Sequence, residues 1–106
     1  MEIGTIPLEE SKITSFIRKV KDDPRINMVH ISLYASLINH WYAFDKANPI
    51  YIFSKEIMPG CKISGVATYH KSIRELHEYG YIKYVPSYNR FVGSLVYLSL
   101  GENKQS

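Results

Sequence analysis

The stretch from Lys62 to Ile82 constrains the fold most, because it changes from helical to strand chemistry at a single glycine. Its apolar residues recur at the spacing of one buried helical stripe, which predicts an amphipathic helix. Ser64 precedes this helix and is predicted to cap it, because a serine hydroxyl can accept from a free N–H of the first turn. Gly80 can adopt the positive φ that ends a helix. The stripe consists of Val66, Tyr69, Ile73 and Leu76, and the strand begins at Tyr81 and Ile82.

The opposite face of this predicted helix is small and polar at its start and basic one turn later. Small residues allow a helix to approach a DNA major groove closely, and polar or basic side chains can reach phosphates or base edges. An amphipathic helix whose outer face is merely solvated explains the same pattern about equally well. The residues of this face are Ala67, Thr68, His70, Lys71 and Arg74.

Two further helices are predicted upstream. The first starts near Pro7, where a proline is tolerated, and ends around Asp22–Asp23, because Pro24 disfavours helical geometry in the residue before it. The second begins near Asn27 or His30 and runs to about Phe44. It is apolar over most of its circumference, which predicts a central position in the core. Trp41 and Leu37 are expected to lie against the first helix, whose buried stripe is Ile13, Phe16, Ile17 and Val20.

The second helix carries two apolar stripes and one polar or neutral face. One stripe can face the helix near residue 70 and the other can face the first helix. The first stripe is Ile31, Tyr34, Ala35, Ile38 and Tyr42, and the second is Leu33, Leu37, Trp41 and Phe44. The remaining face is Ser32, Ser36, Asn39, His40 and Ala43.

Between the second helix and Lys62, a strand over Ile50–Phe53 is followed by a short helix that Ser54 is predicted to cap. Pro59 and Gly60 are expected to end this helix within about one turn. A short helix, a tight connection and a longer helix form a helix-turn-helix pattern. After Gly80, residues 81–86 and 95–100 are rich in β-favouring types, and the loop SYNRFVGS between them predicts a hairpin.

Composition narrows the functional classes. The chain has 106 residues, enough for one core, and its single cysteine, Cys61, excludes an internal disulfide and fits a reducing cytoplasm. The four histidines lack zinc-ligand spacing, so neither a metal nor a cofactor is predicted. No signal peptide is recognisable, and no apolar run approaches the ~20 residues that cross a bilayer. No catalytic motif is present, which predicts a protein that is not an enzyme.

The net charge of +3 is distributed unevenly. Residues 1–49 carry six Lys or Arg against six Asp or Glu, whereas residues 50–106 carry seven against four. The excess therefore lies in the half that contains the predicted DNA-facing helix. This asymmetry permits a polyanionic partner, although it is mild beside strongly basic nucleic-acid-binding domains.

The order helix, helix, strand, short helix, helix and hairpin resembles that of winged helix-turn-helix proteins. The resemblance covers about residues 30 to 100 and rests on Ser64, Thr68, Tyr69, Ile73, Leu76, Gly80, Tyr81 and Ile82. The family's L-x-x-x-G-[LYF]-[IV] passage into the wing reads LHEYGYI here. The segments HISLYASLINHW, ATYHKSIRELHEYGYIKY and PSYNRFVG are similar to those of small single-domain proteins, labelled transcriptional regulators, from gut-bacterial genomes and mobile elements.

The resemblance implies that the helix before the wing lies in the major groove and that the wing tip contacts the backbone or minor groove. Two departures from the family pattern matter. Pro59 and Gly60 shorten the supporting helix, which leaves the family's backbone contact through Lys55 or Lys62 open. The wing tip carries a single basic residue, Arg90. The implied DNA-binding residues are Ser64, Ala67, Thr68, His70, Lys71 and Arg74 on the helix, Lys83 on the wing stem, and Tyr88, Asn89 and Arg90 at the wing tip.

We therefore expect an α+β fold: a winged helix-turn-helix with one extra N-terminal helix. Residues 1–25 form an arm and helix packed on the core, 26–100 the DNA-binding domain, and 101–106 a frayed tail. The expected function is sequence-specific binding of double-stranded DNA as a cytoplasmic, bacterial, homodimeric transcription regulator, with the effector unknown. Alternatives are a winged-helix module that docks proteins, or an accessory or replication factor of a mobile element.

Overall fold

The structure, a computed structural model, describes residues 12–89 and 91–98. These residues form an α+β unit of four helices and one three-stranded antiparallel sheet. The helices are α1 (Lys12–Val20), α2 (Met28–Ala43), α3 (Ser54–Cys61) and α4 (Val66–Glu78), and the strands are β1 (Ile50–Ile52), β2 (Lys83–Val85) and β3 (Ser94–Tyr97). The predicted start of the first helix near Pro7 lies outside the described residues.

Helix α2 begins and ends where the sequence predicts, because Asn27 caps it. The Asn27 side chain accepts from the backbone N–H groups of Val29, at 2.9 Å, and His30, at 3.2 Å. His30 completes the exchange, since its Nδ1 accepts from the Asn27 backbone N–H at 3.0 Å. This is a capping box with histidine in the position usually held by Glu or Gln. Phe44 is the C-cap.

The core forms around α2, as its apolar circumference predicts. Leu33 and Leu37 are completely buried, and the Phe16 ring of α1 stacks on Tyr34 with 3.8 Å between ring centroids. Trp41 is buried, which confirms that part of the prediction. The prediction for α1 is wrong at Ile17, which is exposed. Burial on α1 runs along a single line that includes Phe16 and Val20, and Ile17 lies beside that line.

The two faces predicted for α2 are partly wrong. Ser32 and Ser36 point towards α3: Ser32 Oγ donates to the Cys61 carbonyl at 2.6 Å and Ser36 Oγ to the Ile57 carbonyl at 3.3 Å. Three residues of the predicted apolar stripes are, in turn, exposed to solvent instead of buried. Serines can enter a buried interface when their hydroxyls find carbonyl partners, which periodicity alone does not reveal. The exposed members are Ala35, Tyr42 and Phe44.

Helix α3 is longer than predicted and continues through Pro59 and Gly60 to Cys61. Its N-cap is Phe53, which makes no side-chain hydrogen bond, so the prediction of Ser54 as the cap is also wrong. Burial of Ile57 and Cys61 and the two hydrogen bonds from α2 stabilise this helix and offset the bond that a proline removes.

The sheet order is β1-β3-β2, so the first strand pairs with the hairpin. Val96 of β3 lies opposite Ile50 on one side and Tyr84 on the other, and all three are buried. The alternate residues face outward: Leu95 lies between Tyr51 and Val85, both of which are exposed. This alternation gives the sheet one face in the core and one outer face.

No helix in the described part of the chain is long and apolar enough to span a membrane.

Candidate nucleic-acid interface

Helix α4 buries three of the four residues predicted for its core side. Tyr69, Ile73 and Leu76 are buried, and Gly80 has a φ of 90°, as a helix-ending residue requires. Val66 is 54% exposed, because the first turn extends beyond the core. The N-cap is Gly65, and it makes no side-chain hydrogen bond, so the predicted cap at Ser64 is wrong by one residue.

The outer face of α4 carries an exposed stripe at helical spacing. Ala67, Lys71, Arg74 and Glu78 follow one another at three- or four-residue intervals, and all are exposed. Thr68 is exposed beside this stripe, and His70 is half-buried on the opposite flank. The stripe combines two cationic side chains with one carboxylate, and its smallest side chain, Ala67, lies near the helix start.

The two cations of this stripe differ in their surroundings. Lys71 Nζ lies 3.3 Å from Glu75 Oε2, an i, i+4 ion pair along the helix. Such an exposed helical pair contributes about 0.2–0.5 kcal/mol, so Lys71 can leave it at little cost. Arg74 makes no ion pair with any described residue.

A buried histidine holds the C-terminal half of α4 to the start of α2. His30 is 1% exposed, and its Nε2 lies 2.8 Å from Glu75 Oε1. Because Nδ1 accepts from the Asn27 N–H, Nε2 carries the hydrogen that Glu75 accepts. This hydrogen bond, with a smaller contribution from Lys71, lowers the pKa of Glu75. His30 therefore joins the cap of α2 to α4.

A second contact fixes the chain just beyond α4. The Tyr81 hydroxyl donates to Asp23 Oδ2 at 2.6 Å, and Arg25 forms an ion pair with the same carboxylate at 2.8 Å. The Arg25 guanidinium also lies over the Tyr79 ring, 4.3 Å from its centroid. Hydrogen bonds from Arg25 and then Tyr81 hold the pKa of Asp23 well below its usual range. Burial and the Asp23 contact raise the pKa of Tyr81 to about 12.

The β2–β3 hairpin places two aromatic side chains in solvent. Tyr88 is 97% exposed, and Phe91, which sequence reasoning did not select, is 83% exposed. The loop is ordered by its own polar groups: Asn89 Oδ1 accepts from the Phe91 N–H at 2.9 Å. Lys83 on β2 is exposed, with Nζ 5.2 Å from the Tyr97 ring centroid. Arg90 lies outside the described residues.

The hairpin loop and α4 meet at a cavity of about 270 Å³. His70 from α4 and Asn89 from the loop both line it, together with residues at the start of α3. The structure thus brings together two sequence-predicted residues from separate elements. Thr68 is not among the lining residues, so the predicted set divides between the cavity and the exposed stripe.

A second concave surface, of about 630 Å³, lies where the chain enters α4. Lys55 and Lys62 line it with Ser64, over an apolar floor that includes Met58 and Ile63. Both lysines are exposed. The longer α3 therefore keeps near α4 the two basic residues whose backbone contact the sequence left open.

Among residues 12–89 and 91–98, no group of three or more His, Cys, Asp or Glu side chains could hold a metal ion. Cys61 is buried, and this burial raises the pKa of its thiol.

Comparison of the chain with protein-family models, with curated proteins and with solved structures found no match.

Proposed function

We propose that this chain is a winged-helix domain that binds double-stranded DNA and regulates transcription without enzymatic activity. The supporting observation is that the β2–β3 loop shares a cavity with α4, while the outward stripe of α4 presents Ala67, Lys71 and Arg74 to solvent. In this proposal α2, α3 and α4 form the helical core, α4 is the recognition helix, and the hairpin is the wing. The pairing of β1 with the hairpin supports the same assignment.

In the proposed complex, the N-terminal half of α4 enters the major groove. Ala67 permits close approach, while Thr68 reads base edges and His70 lies towards the wing. Lys71 and Arg74 contact phosphates, or in the case of Arg74 the edge of a guanine. The ion pair between Lys71 and Glu75 is weak enough for a phosphate to replace the carboxylate.

Phosphate contacts on both sides of α4 would fix its register. Lys55, Lys62 and Ser64 lie at the entrance to the helix, and Lys83 and Asn89 lie on the hairpin. The exposed aromatic ring of Tyr88 would extend the contact beyond the wing stem. Arg90 remains a proposed contact from the sequence.

A duplex-library selection at two salt concentrations tests this proposal. The log–log slope of affinity against salt should be about −0.9 per phosphate contacted, and Lys71→Ala should flatten it by roughly one unit. Thr68→Ala should change the preferred sequence more than the slope, because base contacts specify and phosphate contacts position. Lys19→Ala, which removes an exposed lysine on α1, is the matched control and should alter neither.

Absence of duplex binding at low salt by the folded protein would favour a module that docks proteins. The specific observation in favour of docking is the outer face of the sheet, where Tyr51, Leu95 and Val85 form a row across three strands. Tyr51 is 61% exposed and Val85 40% exposed. Tyr51→Ser should leave duplex affinity unchanged under the DNA proposal.

We further propose that the working form is a homodimer, because one helix and one wing read few base pairs and two-fold operators match dimeric readers. The outer side of α1, where Ile13 and Ile17 line a concave surface beside Arg18 and Lys21, is the proposed contact. The alternative contact, through Ile3 and Ile6, lies outside the described residues. Sedimentation should show two protomers on a bound duplex, and Ile17→Glu should reduce this to one. A single protomer on the parent complex would contradict the dimer.

A further inference from the structure

The cavity between the start of α3, α4 and the β2–β3 loop has the features of a ligand site. Its volume of about 270 Å³ is just below the ~300–1,000 Å³ typical of sites for drug-sized molecules, so it suits a smaller ligand. We propose that it binds a small organic carboxylate. Its lining includes Phe53, Ser54, Lys55, Tyr69, His70 and Tyr84.

Two buried tyrosines supply the first line of evidence. Tyr69 is 2% exposed and Tyr84 is 9% exposed, and each lines the cavity. Neither hydroxyl forms a hydrogen bond with any residue in the described part of the chain. Neither hydroxyl oxygen is shut off from solvent, since Trp41 Nε1 is the one fully buried side-chain polar atom without a partner among residues 12–89 and 91–98, so each hydroxyl reaches the space of the cavity. Both hydroxyls are therefore available to donate to a bound acceptor.

The environment of Tyr69 favours its donating form. Burial, with a smaller contribution from Tyr84, raises the pKa of Tyr69 far above its ordinary value. A phenol is protonated at neutral pH even at its ordinary pKa of about 10, so the Tyr69 hydroxyl can donate to an anion there. Tyr84 lines the same cavity as Tyr69.

The start of α3 supplies independent donors at the same cavity. Its N-cap, Phe53, has no side-chain hydrogen bond, and the first intrahelical bond comes from Glu56, whose N–H donates to the Phe53 carbonyl at 2.9 Å. The N–H groups of Ser54 and Lys55 precede that bond and are the unpaired donors of a helix start. These N–H groups lie at the N-terminus of α3, where the positive end of the helix dipole favours an anion.

Charge and shape then select the class of ligand. Among the described lining residues, Lys55 is the permanent cation, which matches one negative charge rather than the two of a phosphate monoester. His70 and Asn89 add uncharged or titratable polar groups, whereas Ile52, Phe53 and Val92 supply an apolar wall. A carboxylate attached to a small apolar group satisfies both parts of the lining.

The effect of such a ligand on DNA rests on the proposed function. His70 and Asn89 line the cavity and are also proposed DNA contacts. A bound carboxylate would engage these side chains and place negative charge near the phosphate backbone. We therefore expect the ligand to weaken duplex binding, which makes it an effector that releases DNA.

The test begins without DNA, by following backbone amide shifts while the full chain is titrated with benzoate, acetate or inorganic phosphate. Benzoate should give saturable shifts at Ser54, Lys55, His70 and Asn89, and should bind at least about tenfold more tightly than acetate because of the apolar wall. Phosphate should bind more weakly than benzoate. An equal response to all three anions would overturn the proposal.

Tyr69→Phe and Tyr84→Phe sharpen this test, because each removes a hydroxyl without a protein partner and should preserve the fold. Each should weaken benzoate binding by roughly tenfold. Tyr42→Phe is the matched control, since Tyr42 is 51% exposed on α2 and is not among the lining residues, and it should leave binding unchanged. Unaltered benzoate binding in both cavity variants, with melting temperatures equal to the parent's, would overturn the proposal.

A final titration separates this inference from the proposed function. Duplex affinity is measured with and without benzoate in the parent and in Tyr69→Phe. Benzoate should lower affinity in the parent and have about tenfold less effect at the same concentration in the variant. Saturable benzoate binding with no duplex binding at all would contradict the DNA proposal alone, whereas duplex binding without benzoate binding would contradict the carboxylate site alone.

Discussion

The two ends of α4 are held in different ways. At the C-terminal end, Glu75 accepts from buried His30, and Tyr81 just beyond the helix donates to Asp23. At the N-terminal end, Gly65 offers no side-chain cap and Val66 is 54% exposed. The C-terminal end of α4 is therefore held by side-chain hydrogen bonds, whereas its N-terminal end, which carries the small and polar residues, is exposed to solvent. This difference separates the end of α4 that stabilises the domain from the end that carries most of the proposed DNA contacts.

Truncating one apolar residue at each end should give the largest contrast. Leu76 is completely buried, so Leu76→Ala should lower the free energy of unfolding by about 2–5 kcal/mol. Val66→Ala should change it by less than about 0.5 kcal/mol, because Val66 is largely exposed. Denaturant melts of both variants measure this difference. Equal losses would show that the helix start is anchored as firmly as its end.

Removing the histidine that joins α2 to α4 should have the next largest effect. His30→Ala deprives both Asn27 and Glu75 of a hydrogen-bond partner and should cost about 2 kcal/mol. It should also return the pKa of Glu75 towards its ordinary value. A carboxyl group whose pKa is lower in the folded state than in the unfolded state stabilises the fold at pH values above its unfolded-state pKa. This stability is lost as the pH falls through the folded-state pKa.

The parent should therefore lose stability more steeply between pH 5 and pH 3 than His30→Ala does, as measured by urea melts across that range. Lys71→Ala is the control for the second, exposed partner of Glu75, and it should reproduce little of the effect. If His30→Ala left the slope of the free energy of unfolding against pH unchanged, the hydrogen bond from His30 would not be what stabilises the C-terminal end of α4.

Removing the Tyr81–Asp23 hydrogen bond should lower the free energy of unfolding by less, and this loss should have its own pH dependence. Tyr81→Phe should destabilise the domain less than His30→Ala, because Asp23 keeps its ion pair with Arg25. The raised pKa of Tyr81 gives stability that is complete below pH 10 and lost as pH rises towards 12. The parent should lose this contribution over that range, and Tyr81→Phe should not. Alkaline melts with Tyr88→Phe as the exposed-tyrosine control test it.

Adding a cap to the open end should have the smallest effect. Gly65 has extended backbone angles, and a Cβ there would lie 3.6 Å from Thr68 Oγ1, an ordinary contact. Gly65→Ser can therefore supply the missing side-chain cap and should stabilise the domain by a few tenths of a kcal/mol. Thermal melts should show a slightly higher melting temperature, and Gly65→Ala should show no gain.

Local sequence predicted the elements well where chemistry changes sharply. The predicted start of α2 near Asn27 or His30 and the predicted stop of α4 at Gly80 agree with the structure, and periodicity predicted that Tyr69, Ile73 and Leu76 of α4 are buried. The caps at Ser54 and Ser64 were each displaced by one residue. A serine near a helix start can cap it, but the chain path from the previous element decides which residue takes the cap geometry.

For the candidate site, spacing along the sequence selected the outward residues of α4, and the resemblance to winged-helix proteins implied Tyr88 at the hairpin tip. The sequence missed Phe91 and could not group His70 with Asn89, which lie in separate elements. Nor did it identify Tyr69 and Tyr84 as the wall of a cavity, because a tyrosine in an apolar stripe reads as core whether or not its hydroxyl has a partner.

The sequence by itself determined the order of helices and strands, the central position of α2 and the polar outer face of α4, since all three follow from spacing along the chain. The tertiary structure decided the pairing of His30 with Glu75, the extension of α3 through Pro59, and the cavity beside the hairpin. Each of these depends on groups that are far apart in sequence. Hydrogen bonding and burial between such groups are set by how the elements pack, and that packing outweighs the local preferences of the residues involved.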